Sequence, residues 1–240
     1  SVSLDSCTIR NNKYYALHLD TAVTTFSMHN CTLTLNDAQP VMMYHTNCDF
    51  LTGDNVYSGN ADDKIMIKSL VLVNCLRNQT FKKLPVPYTI DGTARFAQKL
   101  TFEHGVRFTM QKLSYIYMDN SVNGTAEIDA NGVLGDSVIF QGLKADSGQW
   151  QGIGFYSGGI GSFNYCRLGD SGTGSTFGNS PNGILTMSGP GTGNLNVTHS
   201  RFKLSSYNGI VIKVPEVTYN TDIETSNVFQ NLNGSNVVYY

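Results

Sequence analysis

The sequence predicts an all-β chain folded as a single-stranded parallel β-helix, a solenoid of about 8–9 coils. Three observations carry that prediction. Charged residues make up only 14% of the chain, while Gly, Asn, Ser and Thr account for 90 of its 240 residues. That leaves too little Ala, Glu, Lys, Leu and Arg for a helical bundle or coiled coil, and no stretch shows a convincing amphipathic helical period. Third, a short period-two segment recurs along the chain with a small residue at a fixed place.

The recurrence starts at the first residues. VSLDSCTIRNN at 2–12 is echoed by FSMHNCTLTLN at 26–36, so Cys7 and Cys31 occupy the same place in two copies. Looser echoes are IMIKSLVLVNC at 65–75, GSFNYCRLGD at 161–170, LNVTHSRFKL at 195–204 and TDIETSNVFQ at 221–230. Each puts Ser or Cys between the apolar positions of a short strand. A polar stretch and a compact apolar segment then follow most copies. A repeat of about 22–30 residues is too long for a hairpin and too irregular for a propeller blade, and it suits one coil of a solenoid. Stacked coils place like residues over like, so Cys7 is expected beside Cys31. Asn and Gly are expected at the corners, where the backbone turns left-handed. The segment 49–87 fits the period worst. One body is therefore expected over 1–240, with a soft internal boundary near residue 80 between N-terminal coils with an irregular connection (1–80) and more regular coils (81–240).

From Leu84 to Ile212 the motifs become more specific. PVPYTIDG at 85–92, LTFEHGVRF at 100–108, IDANG at 128–132, VIFQG at 138–142, WQGIGF at 150–155 and FNYCRLG at 163–169 follow one another. This order resembles the coils of right-handed, pectate-lyase-like parallel β-helix proteins that bacteria secrete or display on the cell surface. That family carries an LTIEPGV coil, a GT…I.F coil and a W.GI.F coil in succession. His104 stands where the family often has Pro. The resemblance implies a right-handed solenoid and an extracellular or cell-surface location more than any chemistry.

Several function classes are excluded. The net charge of −2 offers no basic excess for nucleic acid. No apolar run reaches the roughly 18 residues of a membrane span, and Ser1 to Leu4 lack the features of a signal peptide. None of the five cysteines forms a CxxC, so buried thiols are expected rather than a zinc or redox motif. The five histidines show no HxH or HExxH spacing.

The candidate ligand-binding residues are Asp62, Asp63 and Lys64, in a turn before the apolar strand at 65–67. Paired carboxylates can bind calcium or serve as acid and base, although adjacent strand residues face opposite ways and a solvated turn also explains them. Glu103, His104 and Arg107 form a second charged cluster at an expected corner. Trp150 could stack on a sugar, but its place in the W.GI.F coil favours structure. The Gly-rich run 169–178 lacks the Lys of a phosphate loop and reads as a loop leaving the solenoid. No catalytic residue, metal site or cofactor is assigned.

The expected function is non-enzymatic: a β-helix region of a larger surface or secreted protein, contacting a polysaccharide or cell-surface glycan. The alternatives are a polysaccharide lyase or glycoside hydrolase, the lyase alone implying calcium, and a structural spacer. Both ends read as open coils, so a longer parent chain is expected.

Overall fold

The computed structural model describes residues 2–20, 23, 25–70, 72–172 and 182–240, with Asn123 described by its backbone alone. The Gly-rich run expected to form a loop lies, from residue 173 to 178, outside the described residues. The described chain is a parallel β-helix. Its strands fall into sheets of nine, seven, six, three and two strands, and every strand pairing is parallel. The nine-stranded sheet runs from Leu17–Leu19 to Val228–Leu232, one strand per coil. It crosses residue 80 without a break, since Ile65–Lys68 pairs with Tyr88–Asp91. Coil length varies more than the sequence repeat suggests, from 20 residues between Thr89 and Thr109 to 34 between Cys166 and Ser200.

The core follows from alternation within each strand. In the nine-stranded sheet one inward column reads Leu17, Val41, Ile65, Tyr88, Phe108, Phe140, Leu168, Phe202 and Phe229. Parallel in-register pairing puts like side chains about 4.8 Å apart. Aromatic rings at that spacing stack: Tyr88 on Phe108 at 5.3 Å and Phe108 on Phe140 at 5.3 Å. Phe81 and Phe102 stack at 5.0 Å in the six-stranded sheet and meet this column edge-on. Offset stacking and edge contact are the two favourable ring arrangements, so the coil spacing itself selects Phe and Tyr for the interior.

The corners show what the small residues do. Ser6, Asn30, Tyr165 and His199 adopt left-handed backbone, and each is followed by a residue whose N–H turns toward the next coil. Cys7 N–H donates to Cys31 Sγ at 3.4 Å, and Cys31 N–H to Asn55 Oδ1 at 2.9 Å. At the other end Cys166 N–H donates to Ser200 Oγ at 2.9 Å, and Ser200 N–H to Asn227 Oδ1 at 2.8 Å. Leaving the strand exposes a backbone donor inside the molecule, and a short polar or thiol side chain from the next coil satisfies it. Cys7 thus lies beside Cys31 as expected. All five thiols are free, and four are buried. Left-handed corners are less dependent on Asn and Gly than expected, because Leu35, Tyr165 and His199 adopt them too.

A second ladder is built from asparagine. Asn12 donates both its backbone N–H (3.1 Å) and Nδ2 (2.8 Å) to Asn36 Oδ1, and Asn36 does the same to Asn60 Oδ1 at 3.2 and 2.7 Å. Members are 24 residues apart. Asp63 ends the run by accepting from Asn60 N and Nδ2, both at 2.9 Å, and from Gly59 N at 2.9 Å.

The irregular segment begins where the two-stranded sheet stops. A 3-10 turn, His45–Phe50, packs against both Phe26–His29 and Gln79–Phe81 and occupies the strand position between them. The three-stranded sheet ends at Val56–Ser58. The next coil carries Pro85 and Pro87, which have no N–H to extend a ladder. His45 anchors this change of pattern. Its Nε2 lies 3.0 Å from the Val73 carbonyl, its Nδ1 accepts from Leu70 N–H at 3.5 Å, and its ring meets Phe96 edge-on at 5.5 Å. Those partners fix a neutral ring protonated on Nε2.

Asn36→Ala breaks the asparagine ladder at its middle and strands the Asn12 donors. The expected cost is about 1–3 kcal/mol by urea unfolding, with little change in circular dichroism. Burial holds the His45 pKa below its ordinary value. The unfolded chain therefore takes up a proton near pH 6.5 that the folded chain refuses. Stability contributed by neutral His45 is complete above that pH and falls as the pH drops below it. The difference between wild type and His45→Gln, measured by unfolding at pH 7.5 and 5.5, isolates this slope.

Candidate functional site: a polar face and groove on the six-stranded sheet

The outer face of the six-stranded sheet is open to solvent and polar. One outward column reads Lys99, Glu127, Ile160, Asn194 and Thr218. The next reads Thr80, Thr101, Asp129, Ser162 and Asn196. Alternation sends the apolar partners Leu100, Phe102, Ile128, Ala130, Phe163, Leu195 and Val197 into the core, leaving amides, hydroxyls and charges outside. These groups are held in place by each other. Asn194 Nδ2 donates to Thr218 Oγ1 at 2.9 Å, and Thr198 Oγ1 to Asn164 Oδ1 at 2.9 Å.

A groove of about 700 Å³ runs along the edge of this face where the seven-stranded sheet turns into it. Four successive coils supply its wall, through Glu127, Ile160, Asn194 and Thr218, with Asn120, Thr125, Thr192 and Glu216 on the turn side. Glycines open it. A Cβ on Gly193 would sit 2.7 Å from Met187 Sδ, and one on Gly159, at φ +112°, would sit 2.7 Å from the Ala126 carbonyl. Ile160, 48% exposed, gives the groove one apolar contact.

Charge is concentrated at one end. Lys99 Nζ lies 2.7 Å from Glu127 Oε1 and 3.3 Å from Asp129 Oδ2, and these contacts, led by the Glu127 hydrogen bond, raise the Lys99 pKa. Glu127 and Asp129 are alternate residues of one strand, with Cα atoms roughly 6–7 Å apart, and both carboxylates reach the one Lys99 ammonium. Paired glycosidase carboxyls stand about 5–9.5 Å apart. Glu216, bound to Lys213 at 3.2 Å, is about three strand spacings from Glu127, roughly 14 Å, and is out of that range.

The residues singled out in the sequence fall elsewhere. Asp62 pairs with Lys64 at 3.3 Å and accepts from Gln39 Nε2 at 3.4 Å. Asp63 is committed to ending the asparagine ladder, so the two neighbouring carboxylates serve separate bonds. Glu103 Oε2 accepts the Lys83 N–H at 2.9 Å, and Arg107 donates to the Pro85 carbonyl at 2.8 Å. His104 Nδ1 and Lys83 Nζ converge on Asp136 Oδ2 at 2.6 and 2.8 Å, and Lys83 first and His104 second hold that carboxyl below its ordinary pKa. Gly105, at φ +76°, leaves room there, since a Cβ would collide with the Asp136 carboxylate. The cluster therefore ties three coils together at a corner. Trp150 is fully buried and its indole N–H donates to the Gly169 carbonyl at 2.7 Å, which removes it from sugar stacking.

Among the described residues no group of three or more His, Cys, Asp or Glu could hold a metal ion. No helix among them is long and apolar enough to cross a membrane. No family model matches the chain, and no curated protein or solved structure matches it either. Fold and site thus define a parallel β-helix whose six-stranded sheet turns an open polar face to solvent.

Lys99, Glu127 and Asn194 escaped the sequence reading. Their signal is the alternation in KLTF at 99–102 and EIDAN at 127–131, and it becomes legible only once unequal coils are in register. Exposed ion pairs contribute little to stability. Lys99→Met is expected to change unfolding stability by less than about 1 kcal/mol, and a larger loss in urea titration would make the cluster a structural element of the fold.

Proposed function

We propose that the chain is a carbohydrate-contacting β-helix region of a secreted or cell-surface protein, acting by binding rather than catalysis. The observation that carries this reading is the groove crossing four coils beside an open face of fixed amides and hydroxyls. Sugar hydroxyls need donors and acceptors together, and Asn and Thr supply both. Ile160 offers a surface for the C–H face of a ring. Repetition at the coil spacing suits a linear polymer, on which weak contacts add up. The likeness of the 84–212 motifs to pectate-lyase-like surface proteins supports an extracellular place for such a polymer.

A second reading, a polysaccharide lyase or hydrolase, is favoured by the Lys99, Glu127 and Asp129 cluster on consecutive coils. Acid–base hydrolysis needs one carboxyl of the pair to carry a proton. Here both engage one ammonium group, which favours binding. Calcium would enter only under a lyase mechanism.

A glycan array tests the proposal. Binding to a set of linear glycans is expected, with affinity falling by about tenfold or more in Asn194→Ala/Thr218→Ala, equivalent to at least about 1.4 kcal/mol. Incubation of those glycans with the protein is expected to leave ultraviolet absorbance and reducing ends unchanged. Product formation abolished by Glu127→Gln would establish the enzyme instead, and an array with no bound glycan would leave a spacer.

A further inference from the structure

A different face carries a different chemistry. On the outside of the nine-stranded sheet, Arg167 and Arg201 are direct register partners, as are Gly169 and Lys203 two residues further on. All three cationic side chains are exposed. Gly169 interrupts the outward column, and a hollow of about 250 Å³ opens there between Gln141, Arg167, Arg201 and Lys203. A side chain at Gly169 would crowd the Lys203 carbonyl at 3.0 Å. From inside, Trp150 fixes the floor through its bond to the Gly169 carbonyl.

The fold pairs some of the other cations with carboxylates, and these three are not among them. Lys64, Arg77, Lys83, Lys99 and Lys213 each pair with a carboxylate. Arg167, Arg201 and Lys203 make no ion pair or side-chain hydrogen bond with any described residue. Like charges directly opposite on neighbouring strands destabilise a sheet, so the arrangement costs stability until an anion arrives. The one acid lining the hollow, Asp170, is nearly buried, turns its Oδ2 to the Gly142 N–H at 3.2 Å and feels the Lys203 charge, so it offsets part of the positive field without an ion pair.

We propose that this hollow is an oxyanion site that binds the sulfate or carboxylate group of an acidic glycan. Guanidinium groups match the oxygens of such groups with paired, charge-assisted hydrogen bonds. Two adjacent coils and a net charge of −2 are too little for a nucleic-acid track. The glycan as source of the anion rests on the function proposed above, whereas the oxyanion site does not.

Trp150, the only tryptophan, is a built-in reporter beneath the floor. Its emission and the thermal midpoint are followed while the intact chain is titrated with sodium sulfate, dextran sulfate or neutral dextran. Sulfate and dextran sulfate are expected to give saturable emission changes and a raised midpoint, and neutral dextran neither. Binding should weaken about tenfold or more in Arg167→Gln and in Arg201→Gln. It should stay within about twofold in Lys13→Gln, which removes the same charge elsewhere. Without ligand, both arginine variants should melt no lower than wild type, since a repulsion has been removed. No response to either anion in emission or midpoint would overturn the site, as would equal weakening by Lys13→Gln. Sulfate binding without dextran sulfate binding would keep the oxyanion site and overturn the glycan as its source.

Discussion

Everything in this molecule depends on each coil returning in register with the last. Parallel strands exchange hydrogen bonds only with the coils before and after them, so a coil that arrives one residue early would turn its core side chains outward. Corners are where slippage could occur, because the backbone leaves the ladder there. This chain closes them with side chains. Cys31, Asn36, Asn55, Asn60, Ser200 and Asn227 each accept a backbone N–H from the preceding coil. The residue before several of them pays a left-handed backbone for this contact, and the cross-coil bond holds that conformation.

The same constraint organises the surfaces. Once columns are fixed inside by ring stacking, they are fixed outside as well, and each sheet presents its own chemistry to solvent. The six-stranded face is amide and hydroxyl with one compact charge cluster. The nine-stranded face carries the unpaired arginines over a glycine gap. Sites of this kind need no dedicated loops. They arise wherever an outward column changes residue type between coils, as at Gly169 between Gln141 and Lys203. The ligand then meets groups spaced by the backbone rather than by side-chain reach.

How much of this was legible in the sequence differs by part. The solenoid was readable from the Cys7/Cys31 echo, because two equal coils of 24 residues put like residues at like places. The role of Ser and Cys as corner residues was half readable: their recurrence showed, but the N–H they receive comes from another coil. The candidate site was not legible. Lys99 meets Glu127 across 28 residues, and Thr198 meets Asn164 across 34, so no single spacing exposes the outward columns. Asp62 and Asp63 attracted attention because they are adjacent in sequence, yet adjacency matters least in a fold whose neighbours lie a full coil away.

The asparagine ladder has a direction. Each member offers its amide forward and its oxygen backward, and Asp63, with no amide to offer, stops the series. A unit of this kind is copyable. One more 24-residue turn set between Asn36 and Asn60 would find an acceptor ahead and a donor behind, with the terminator untouched. Length in this part of the solenoid is thus a matter of how many identical links are threaded before the stop, a form of growth by duplication that asks nothing new of the coils on either side.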